Sequence, residues 1–385
     1  MKLVFYSVVL NQHQAPLADA FHELLGEEYT FVETTDLRDY KGSTVDYSKR
    51  SYLLRAWETE EGKRKAMELA LTADCCVFSG FEAMQFQKAR IKRGLLSFDM
   101  SERWLKKGIL NLFSPTIRKM FLAYHLGGWA RRPMYKLCSS GFAAADQRKL
   151  FTYRNRCYKW GYFTAVDAVA GCEKMPVEAS QDVPTSRIAP TIMWCARFLK
   201  WKHPELSVLM AERLKQKGYD FVLDFYGSGD EEGPTKALVA DKSLQDRIKF
   251  HGNIPNDQVL AAMAQHDIFL FTSDSNEGWG AVANESMSQG CVLVGSDAIG
   301  SIPFLVKHRE NGLIFKSCDV DSLTEQVEWV MTHPAEMREI QQAAVDTMQN
   351  VWSPKNAAHN FLQLVNDLQN CRDCSVLQGP GSKDF

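Results

Sequence analysis

The stretch from Phe269 to Asp297 constrains the fold most, because it reads as a complete strand, loop, helix and strand. Its first segment is apolar and ends near Thr272, which predicts a buried strand. A polar loop follows, and a helix is predicted from about Trp279 to Gln289, with Gly290 ending it before a second buried strand. Unpaired N–H groups in the first turn of such a helix attract anions. The sequence therefore predicts a parallel α/β sheet with an anion site at this loop.

Two glutamates flank the predicted anion site, with Glu277 just before the helix and Glu285 inside it. Eight helical residues would separate them by about 12 Å along the axis. A nucleotide-sugar could span that distance, with its pyrophosphate over the amides of Trp279, Gly280 and Ala281, its sugar at Glu277 and its ribose at Glu285. The alternative is one surface carboxylate and one helix-capping carboxylate.

The alternation of strands and helices occurs twice along the 385 residues, enough chain for two domains. We predict a first Rossmann-like domain over 1–187, in which 164–187 lose periodicity and form a linker. A second Rossmann-like domain is predicted over 188–352 and a helix over 353–370. The polar tail, 371–385, is predicted to be disordered.

Several polar residues follow predicted strands of the first domain, where ligands of open α/β sheets lie. His13 follows the first strand, and Asp99, Glu102 and Arg103 follow a strand predicted over Gly94–Phe98. His13 could instead be a solvated loop residue, and Asp99 a carboxylate of purely structural use.

Residues 88–136 are strongly basic, with twelve Lys or Arg against two acidic residues, interleaved with large apolar side chains. This pattern is typical of a surface lying on an anionic membrane. Helices packed on the sheet with a solvated basic face explain it equally well, whereas nucleic acid is disfavoured because no recognition motif accompanies the patch. No apolar run approaches the roughly 20 residues that span a bilayer. With ten cysteines mostly in or near apolar segments, we expect a cytoplasmic protein with reduced thiols, peripheral on the inner face of the plasma membrane.

The second half resembles the donor domain of retaining GT-B glycosyltransferases of the family-4 type, which in bacteria build capsular and lipopolysaccharide glycans. Arg197 and Lys202 match the phosphate-binding Arg and Lys of that family, five residues apart. Gly227-Ser228-Gly229 resembles its glycine turn, and His251-Gly252-Asn253-Ile254-Pro255 resembles its base-binding loop. Glu277 and Glu285 match its E-x7-E motif. The resemblance extends to specific motifs over about residues 188–335. The first half of the chain is similar only in its architecture.

The resemblance implies a fold of two doubly wound domains facing across a cleft, with the C-terminal helix crossing back to the first domain. It implies a hexosyltransferase-type, retaining, metal-independent enzyme in which Arg197, Lys202 and Glu277 serve catalysis and Asp99 positions the acceptor. His13, Glu102 and Arg103 are further acceptor-side candidates. The implied donor-binding residues are Glu285, Gly278, Trp279, Gly280, Ala281, Gly227, Gly229, Asn253 and Ile254. No metal or other cofactor is expected, since the only plain D-x-D, Asp319-Val320-Asp321, precedes a helix and suits a cap.

The expected partners are a nucleoside-diphosphate-sugar, a glycan or lipid-linked glycan acceptor and an anionic membrane surface, but not nucleic acid. Two alternatives remain open. One is another GT-B enzyme, such as a nucleotide-sugar epimerase or a transferase with a soluble acceptor. The other is a non-catalytic module that binds sugar nucleotides.

Overall fold

The computed structural model describes residues 1–36, 47–166 and 189–385, which divide into two compact units. Met1–Ala165 and Val351–Phe385 form the first unit, and Val166–Asn350 forms the second. Each unit is a parallel sheet with helices, so the predicted fold class is confirmed. The predicted linker lies almost entirely outside the described residues, as does the predicted start of the second domain at residue 188.

The first unit is built on seven parallel strands in the order β3-β2-β1-β4-β5-β6-β7. Every residue of β1 is buried, as expected where helices cover both faces of a parallel sheet. The strand order reverses between β1 and β4, so ligands are expected at the loops that follow these two strands. The elements are β1 (Leu3–Ser7), α1 (Ala15–Leu25), β2 (Tyr29–Glu33), β3 (Leu53–Arg55), α2 (Glu60–Thr72), β4 (Cys75–Ser79), α3 (Met84–Lys92), β5 (Ser97–Ser101), α4 (Pro115–His125), β6 (Met134–Cys138), α5 (Ala143–Lys149) and β7 (Cys157–Lys159).

The second unit has six parallel strands in the order β10-β9-β8-β11-β12-β13, with its reversal between β8 and β11. Its core joins Ile192 and Trp194 of β8 to Leu270 of β11 and Val294 of β12, all almost fully buried. The elements are β8 (Thr191–Cys195), α6 (Pro204–Gln216), β9 (Val222–Tyr226), α7 (Glu232–Asp241), β10 (Ile248–Phe250), α8 (Asn256–Gln265), β11 (Ile268–Phe271), α9 (Val282–Ser288), β12 (Val292–Ser296), α10 (Ile302–Leu305), β13 (Leu313–Phe315), α11 (Val320–Thr332) and α12 (Pro334–Asp346). Asp319 accepts hydrogen bonds from the amides of Asp321 and Ser322, so the D-x-D caps α11 as predicted.

The last helix, α13 (Pro354–Gln369), belongs to the first unit. Ser353 caps it by accepting a hydrogen bond from the amide of Asn356. The Phe361 ring lies 5.6 Å from that of Phe21 on α1 and 5.0 Å from that of Phe98 on β5. These edge-to-face contacts confirm the predicted return of the C-terminal helix to the first domain.

The predicted disorder of the tail is wrong. Ser382 accepts a hydrogen bond from the Lys159 amide, and the amides of Gly381 and Asp384 donate to the carbonyls of Lys159 and Cys157. The prediction rested on polar and glycine-rich composition. It overlooked that β7 is an edge strand whose free backbone groups need partners.

Two predicted elements of the first unit are also wrong. Residues 94–96, predicted as part of a strand, form the turn before β5, because the Arg90 guanidinium donates to the Leu96 carbonyl at 2.8 Å. Asp99 therefore lies inside β5 rather than beyond its end. The sequence of residues 47–71 also predicts a helix, but this segment contains β3 before Thr59 caps α2.

Candidate functional site

Two loops of the second unit meet at its switch point. The loop after β8 carries Lys202, and the loop after β11 begins with Thr272. The Thr272 hydroxyl donates to the Lys202 carbonyl at 2.6 Å and accepts from the Trp194 indole at 2.9 Å. The Asp274 amide donates to the Trp201 carbonyl at 3.0 Å. These bonds hold the predicted phosphate-binding loop and the predicted sugar-binding loop against each other.

Lys202 and Glu277 form an ion pair across these loops. Both side chains are only 12% exposed, so the pair is shielded more than an ordinary surface salt bridge. The Ser273 hydroxyl donates to the same carboxylate at 3.2 Å, and the Lys202 ammonium lies 4.4 Å from the centre of the Trp201 ring. Arg197 is exposed on the same loop as Lys202. The structure thus brings two predicted catalytic residues into contact and places a third, the cationic Arg197, on the same loop as Lys202.

The helix after Glu277 begins later than predicted. α9 starts at Val282, so Trp279, Gly280 and Ala281 lie in the loop before it rather than in its first turn. Gly280 has a φ of +80°, and a Cβ there would collide with the Phe271 ring and lie 3.1 Å from Glu277 Cγ. A left-handed glycine that packs this closely explains why the helix cannot start earlier. The Trp279 indole is buried and donates to Asn284 at 2.9 Å, so it packs inside the unit.

Glu285 lies in α9 and is 8% exposed. Burial raises its pKa to about 7, because water that would stabilise the carboxylate is excluded. The pKa of the Cys195 thiol, at the end of β8, is raised to about 12. Burial is the main cause, and the Glu285 carboxyl group adds to it. Glu285 therefore lies in the same region as the loop after β8, as its predicted role requires.

The predicted glycine turn packs directly on the loop after β8. Gly227 has a φ of +121°, and a Cβ there would overlap the Ala196 carbonyl. Its amide donates to the Gly252 carbonyl at 2.8 Å, and the Asn253 amide group donates to the Ser228 hydroxyl at 2.6 Å. The turn thus connects the loop after β8 to the predicted base-binding loop. Gly229, at a φ of +148°, packs on Phe198 in the same way, and Ile254 is half-buried.

Three of the acceptor-side candidates of the first unit, Asp99, Glu102 and Arg103, lie next to basic or acidic partners, whereas, among the described residues, His13 does not. Asp99 is buried and paired with Lys136, which is fully buried and also donates to the Ser101 hydroxyl. Arg103 is paired with the buried Asp146 at 3.1 Å. Glu102 is half-buried at the end of β5, 3.7 Å from Lys106. Asp99 and Arg103 are thus held by internal ion pairs.

His13 lies in the loop after β1 and lines an apolar cavity with Phe5, Phe31, Met100 and Phe163. Its Nδ1 is buried, and no residue in the described ranges supplies a hydrogen-bond partner for it. Burial lowers the pKa of His13, so the neutral imidazole is favoured. A buried polar atom without a hydrogen-bond partner is uncommon in folded proteins, which sets His13 apart from the other acceptor-side candidates.

Residues 181–346 match the family described as Glycosyl transferases group 1. The match covers most of the second unit, which is therefore similar to this family. The amylovoran biosynthesis glycosyltransferase AmsK of Erwinia amylovora is 30% identical over 137 residues, covering 34% of this chain and 33% of that protein. The 2-deoxystreptamine glucosyltransferase of Streptomyces kanamyceticus is 30% identical over 35% of this chain and 34% of its own length. These matches span about a third of each relative.

Solved structures extend the likeness to the first unit. HepE of Anabaena in complex with UDP aligns with a TM-score of 0.67 at 15% identity, covering 96% of this chain and 100% of that one. Sucrose-phosphate synthase of Thermosynechococcus elongatus aligns with a TM-score of 0.66 at 16% identity, and the shares of the two chains that are covered are the same. At such identities these alignments show a shared GT-B fold.

The sequence analysis missed several residues that shape the site formed by the loops after β8 and β11. Thr272 and Ser273 join Lys202 to Glu277, and both directly follow a strand, the signal that had selected the glutamate. Lys136 gave no such signal, because its partner Asp99 lies on the neighbouring strand. Across the described ranges, no cluster of three or more His, Cys, Asp or Glu side chains is arranged to hold a metal ion, and metal independence stays a prediction.

Proposed function

We propose that this protein is a retaining, metal-independent glycosyltransferase that moves a sugar from a nucleoside-diphosphate-sugar to a glycan or lipid-linked glycan in cell-surface polysaccharide synthesis. The observation that carries this proposal is the Lys202–Glu277 pair at the switch point of a unit similar to the glycosyl transferases group 1 family. Switch points are where open α/β sheets bind ligands. A cation next to a carboxylate suits a substrate with an anionic diphosphate and a polyhydroxylated sugar.

The pair suggests how a donor would engage the site. Lys202 is held by Glu277 alone among charged partners in the described residues. A diphosphate would take over the ammonium, and the released carboxylate would accept hydrogen bonds from sugar hydroxyls. Negative charge grows on the departing diphosphate in the transition state, where Lys202 and the exposed Arg197 would stabilise it. Two side-chain cations can thereby supply the charge that a metal ion supplies elsewhere.

The similar proteins indicate which donor to test first. The HepE structures hold UDP or UDP-glucose, and AmsK is named for amylovoran biosynthesis. We infer a UDP-sugar as the first donor class and a polysaccharide precursor as the acceptor. Asn253 would lie near the base and Glu285 near the ribose.

Isothermal titration of the protein with UDP, followed by hydrolysis of UDP-glucose without an acceptor, tests the proposal. We expect saturable UDP binding and slow hydrolysis that Glu277→Gln reduces by about a hundredfold, a typical effect of losing one group in the transition state. NMR of the first glucose released should show the α-anomer, since retention keeps the donor configuration. Release of β-glucose would refute retention, and the absence of binding to any nucleotide-sugar would refute the whole proposal.

We further propose that the first unit binds an anionic membrane surface through α4 and the segment before it. Five large apolar side chains are exposed between residues 109 and 126, namely Ile109, Leu110, Phe113, Leu122 and Leu126, and the exposed fraction is 78% for Phe113 and 80% for Leu126. Lys107, Arg118 and Lys119 are exposed beside them. Apolar side chains can enter the interface while each basic residue adds about 1 kcal/mol near anionic lipids. Of the twelve basic residues counted earlier, Arg90 and Lys136 are buried and take no part.

Flotation with vesicles tests the membrane surface. Wild-type protein should float with phosphatidylserine vesicles at low salt and remain behind with neutral vesicles. Phe113→Ser with Leu110→Ser should abolish flotation, whereas Leu377→Ser, which changes an exposed apolar residue of the tail, should not. Equal flotation of all three proteins would contradict the proposal. In the described part of the chain, no helix has the length and apolarity to cross a membrane.

A further inference from the structure

Four side chains form a cluster behind the proposed donor site in the second unit. His203 directly follows Lys202, Glu205 lies in the first turn of α6, Asp274 lies three residues before Glu277, and Cys318 follows β13. His203 Nδ1 lies 2.7 Å from Glu205 and Nε2 lies 3.4 Å from Asp274. The Cys318 Sγ lies 3.5 Å from the same Nε2. A thiol, an imidazole and two carboxylates therefore meet at one point of the surface.

The imidazole of His203 is held in a charged environment. The hydrogen bond that His203 donates to the Glu205 carboxylate is the largest effect that raises the pKa of His203, and Asp274 raises it further, while burial opposes both. Because Nδ1 donates to Glu205, Nε2 faces Cys318 and Asp274. An imidazolium at this position stabilises a neighbouring thiolate.

Cys318 is open to reagents from solvent. Its residue is exposed, and its φ of +59° places it in a left-handed turn between Ser317 and Asp319. The Asp319 side chain is engaged in capping α11, so its carboxylate is directed to the helix amides. His203 is thus the basic group in hydrogen-bonding distance of the thiol.

We propose that Cys318 is a reactive thiol, activated by His203, and that its conversion to a mixed disulfide weakens donor binding. The first part stands on the cluster alone. The second part rests on the proposed function, because it assumes that Lys202 and Glu277 hold the donor.

The chemistry is thiol–disulfide exchange with a small disulfide. Cys318 loses its proton to solvent, and the His203 imidazolium stabilises the thiolate that remains. The thiolate sulfur attacks one sulfur of the disulfide, a new S–S bond forms, and the other half leaves as a thiolate that takes up a proton. The thiolate is the nucleophile, so a neighbouring cation raises the rate at neutral pH.

The cluster connects to the donor site through two short segments. His203 is adjacent in sequence to Lys202, and the Asp274 carbonyl accepts from the amide of Glu277 at 3.0 Å. A group attached to Cys318 Sγ would occupy the space next to His203 Nε2. His203 would lose its contact with Asp274, and the loop that carries Glu277 would lose one of its anchors.

Competitive labelling tests the reactivity. Wild-type protein receives a brief, substoichiometric dose of iodoacetamide in a buffer with chelator, and mass spectrometry compares alkylation at Cys318 and Cys371, both exposed. Cys318 should react about tenfold faster at neutral pH, because the neighbouring His203 stabilises its thiolate. His203→Asn, which tolerates the left-handed backbone at φ +49°, should remove that advantage and leave Cys371 unchanged. Equal rates at the two cysteines in wild-type protein would overturn the proposal.

Titration with UDP before and after treatment with a small disulfide tests the coupling. Modified wild-type protein should bind UDP about tenfold more weakly, a loss of about 1.4 kcal/mol, and a thiol reductant should restore binding. Cys318→Ser should bind UDP as untreated wild type does and resist the disulfide, whereas Cys371→Ser should remain sensitive. Unchanged affinity of protein fully modified at Cys318 would overturn the coupling. If untreated protein bound no nucleotide, the proposed function would fail while the labelling result stood.

Discussion

In the second unit, the loops after β8 and β11 place a lysine, a glutamate and a serine in contact, with a buried carboxyl group on the helix that follows. In the first unit, the loop after β1 carries His13, whose imidazole lines an apolar cavity. In each unit, these loops lie at the topological switch point of a parallel sheet. The backbone plan is therefore shared, and the side chains decide what each unit can bind.

The difference is one of charge. Lys202 and Glu277 carry opposite charges and are only partly shielded, which suits an exchange of partners with a charged diphosphate. At His13, burial favours the neutral imidazole, which can donate or accept a hydrogen bond without a counter-ion. A neutral histidine suits the hydroxyl group of an acceptor, which must lose a proton during transfer. Under the proposed function, the charged pair would suit the donor diphosphate and the neutral imidazole an acceptor hydroxyl.

Replacing Lys202 should give the largest effect. Lys202→Met keeps an unbranched side chain but removes the charge next to Trp201, so we expect a loss of about a hundredfold or more in UDP-glucose hydrolysis. Lys236→Met removes a lysine that pairs with Glu232 on the surface of the same unit and should change the rate less than twofold, about the effect expected of an exposed pair. Thermal unfolding of both variants checks that the unit remains folded. A comparable loss of donor hydrolysis in His13→Gln would break the division between the units.

Glu285 should give a smaller effect that depends on pH. Burial raises its pKa to about 7, so the carboxyl group is mostly protonated in the free protein at about pH 6. A ribose hydroxyl that donates to it favours the carboxylate, so binding releases a proton and affinity rises with pH. We expect about a tenfold gain in UDP-glucose affinity between about pH 6 and pH 8, lost in Glu285→Gln.

UDP-glucose is the appropriate ligand for this titration, since its diphosphate is a diester that does not titrate in that range. Calorimetry in buffers of different ionisation enthalpy counts the released protons directly. Parallel pH profiles for wild type and Glu285→Gln would show that the carboxyl group takes no part in binding.

The sequence was most informative about site residues that belong to short local patterns, such as a loop directly after a strand. Glu277 could be identified because it lies in a loop that follows an apolar strand, whereas Lys202 was identified by its spacing from Arg197, which resembles the family-4 motif. The strand order brings the two loops together. The start of α9 could not be predicted, because it depends on the packing of Gly280 against Phe271, a contact that propensity does not encode.

The other features that the sequence did not predict depend on contacts between residues far apart in the chain. Asp99 looked like a strand-end carboxylate, yet its partner Lys136 lies 37 residues away on β6. Cys318 and His203 are 115 residues apart and meet only because β13 and β8 belong to one sheet. The tail looked disordered because the need of β7 for backbone partners appears only in the assembled sheet.

His13 should give the smallest effect, and it can be measured without knowing the acceptor. Burial lowers the pKa of His13 in the folded protein, so the unfolded chain binds a proton more readily as pH falls through about 6.5. Stability that is present above that pH is therefore lost below it. His13→Gln, which cannot titrate, should show a shallower fall in the thermal midpoint of the first unit between about pH 7 and pH 5. His359→Gln changes an exposed histidine on α13 and should follow wild type. If wild type and His13→Gln lost stability in parallel, the imidazole would not be held neutral by its cavity, and the contrast in charge between the two switch points would lose its basis in the first unit.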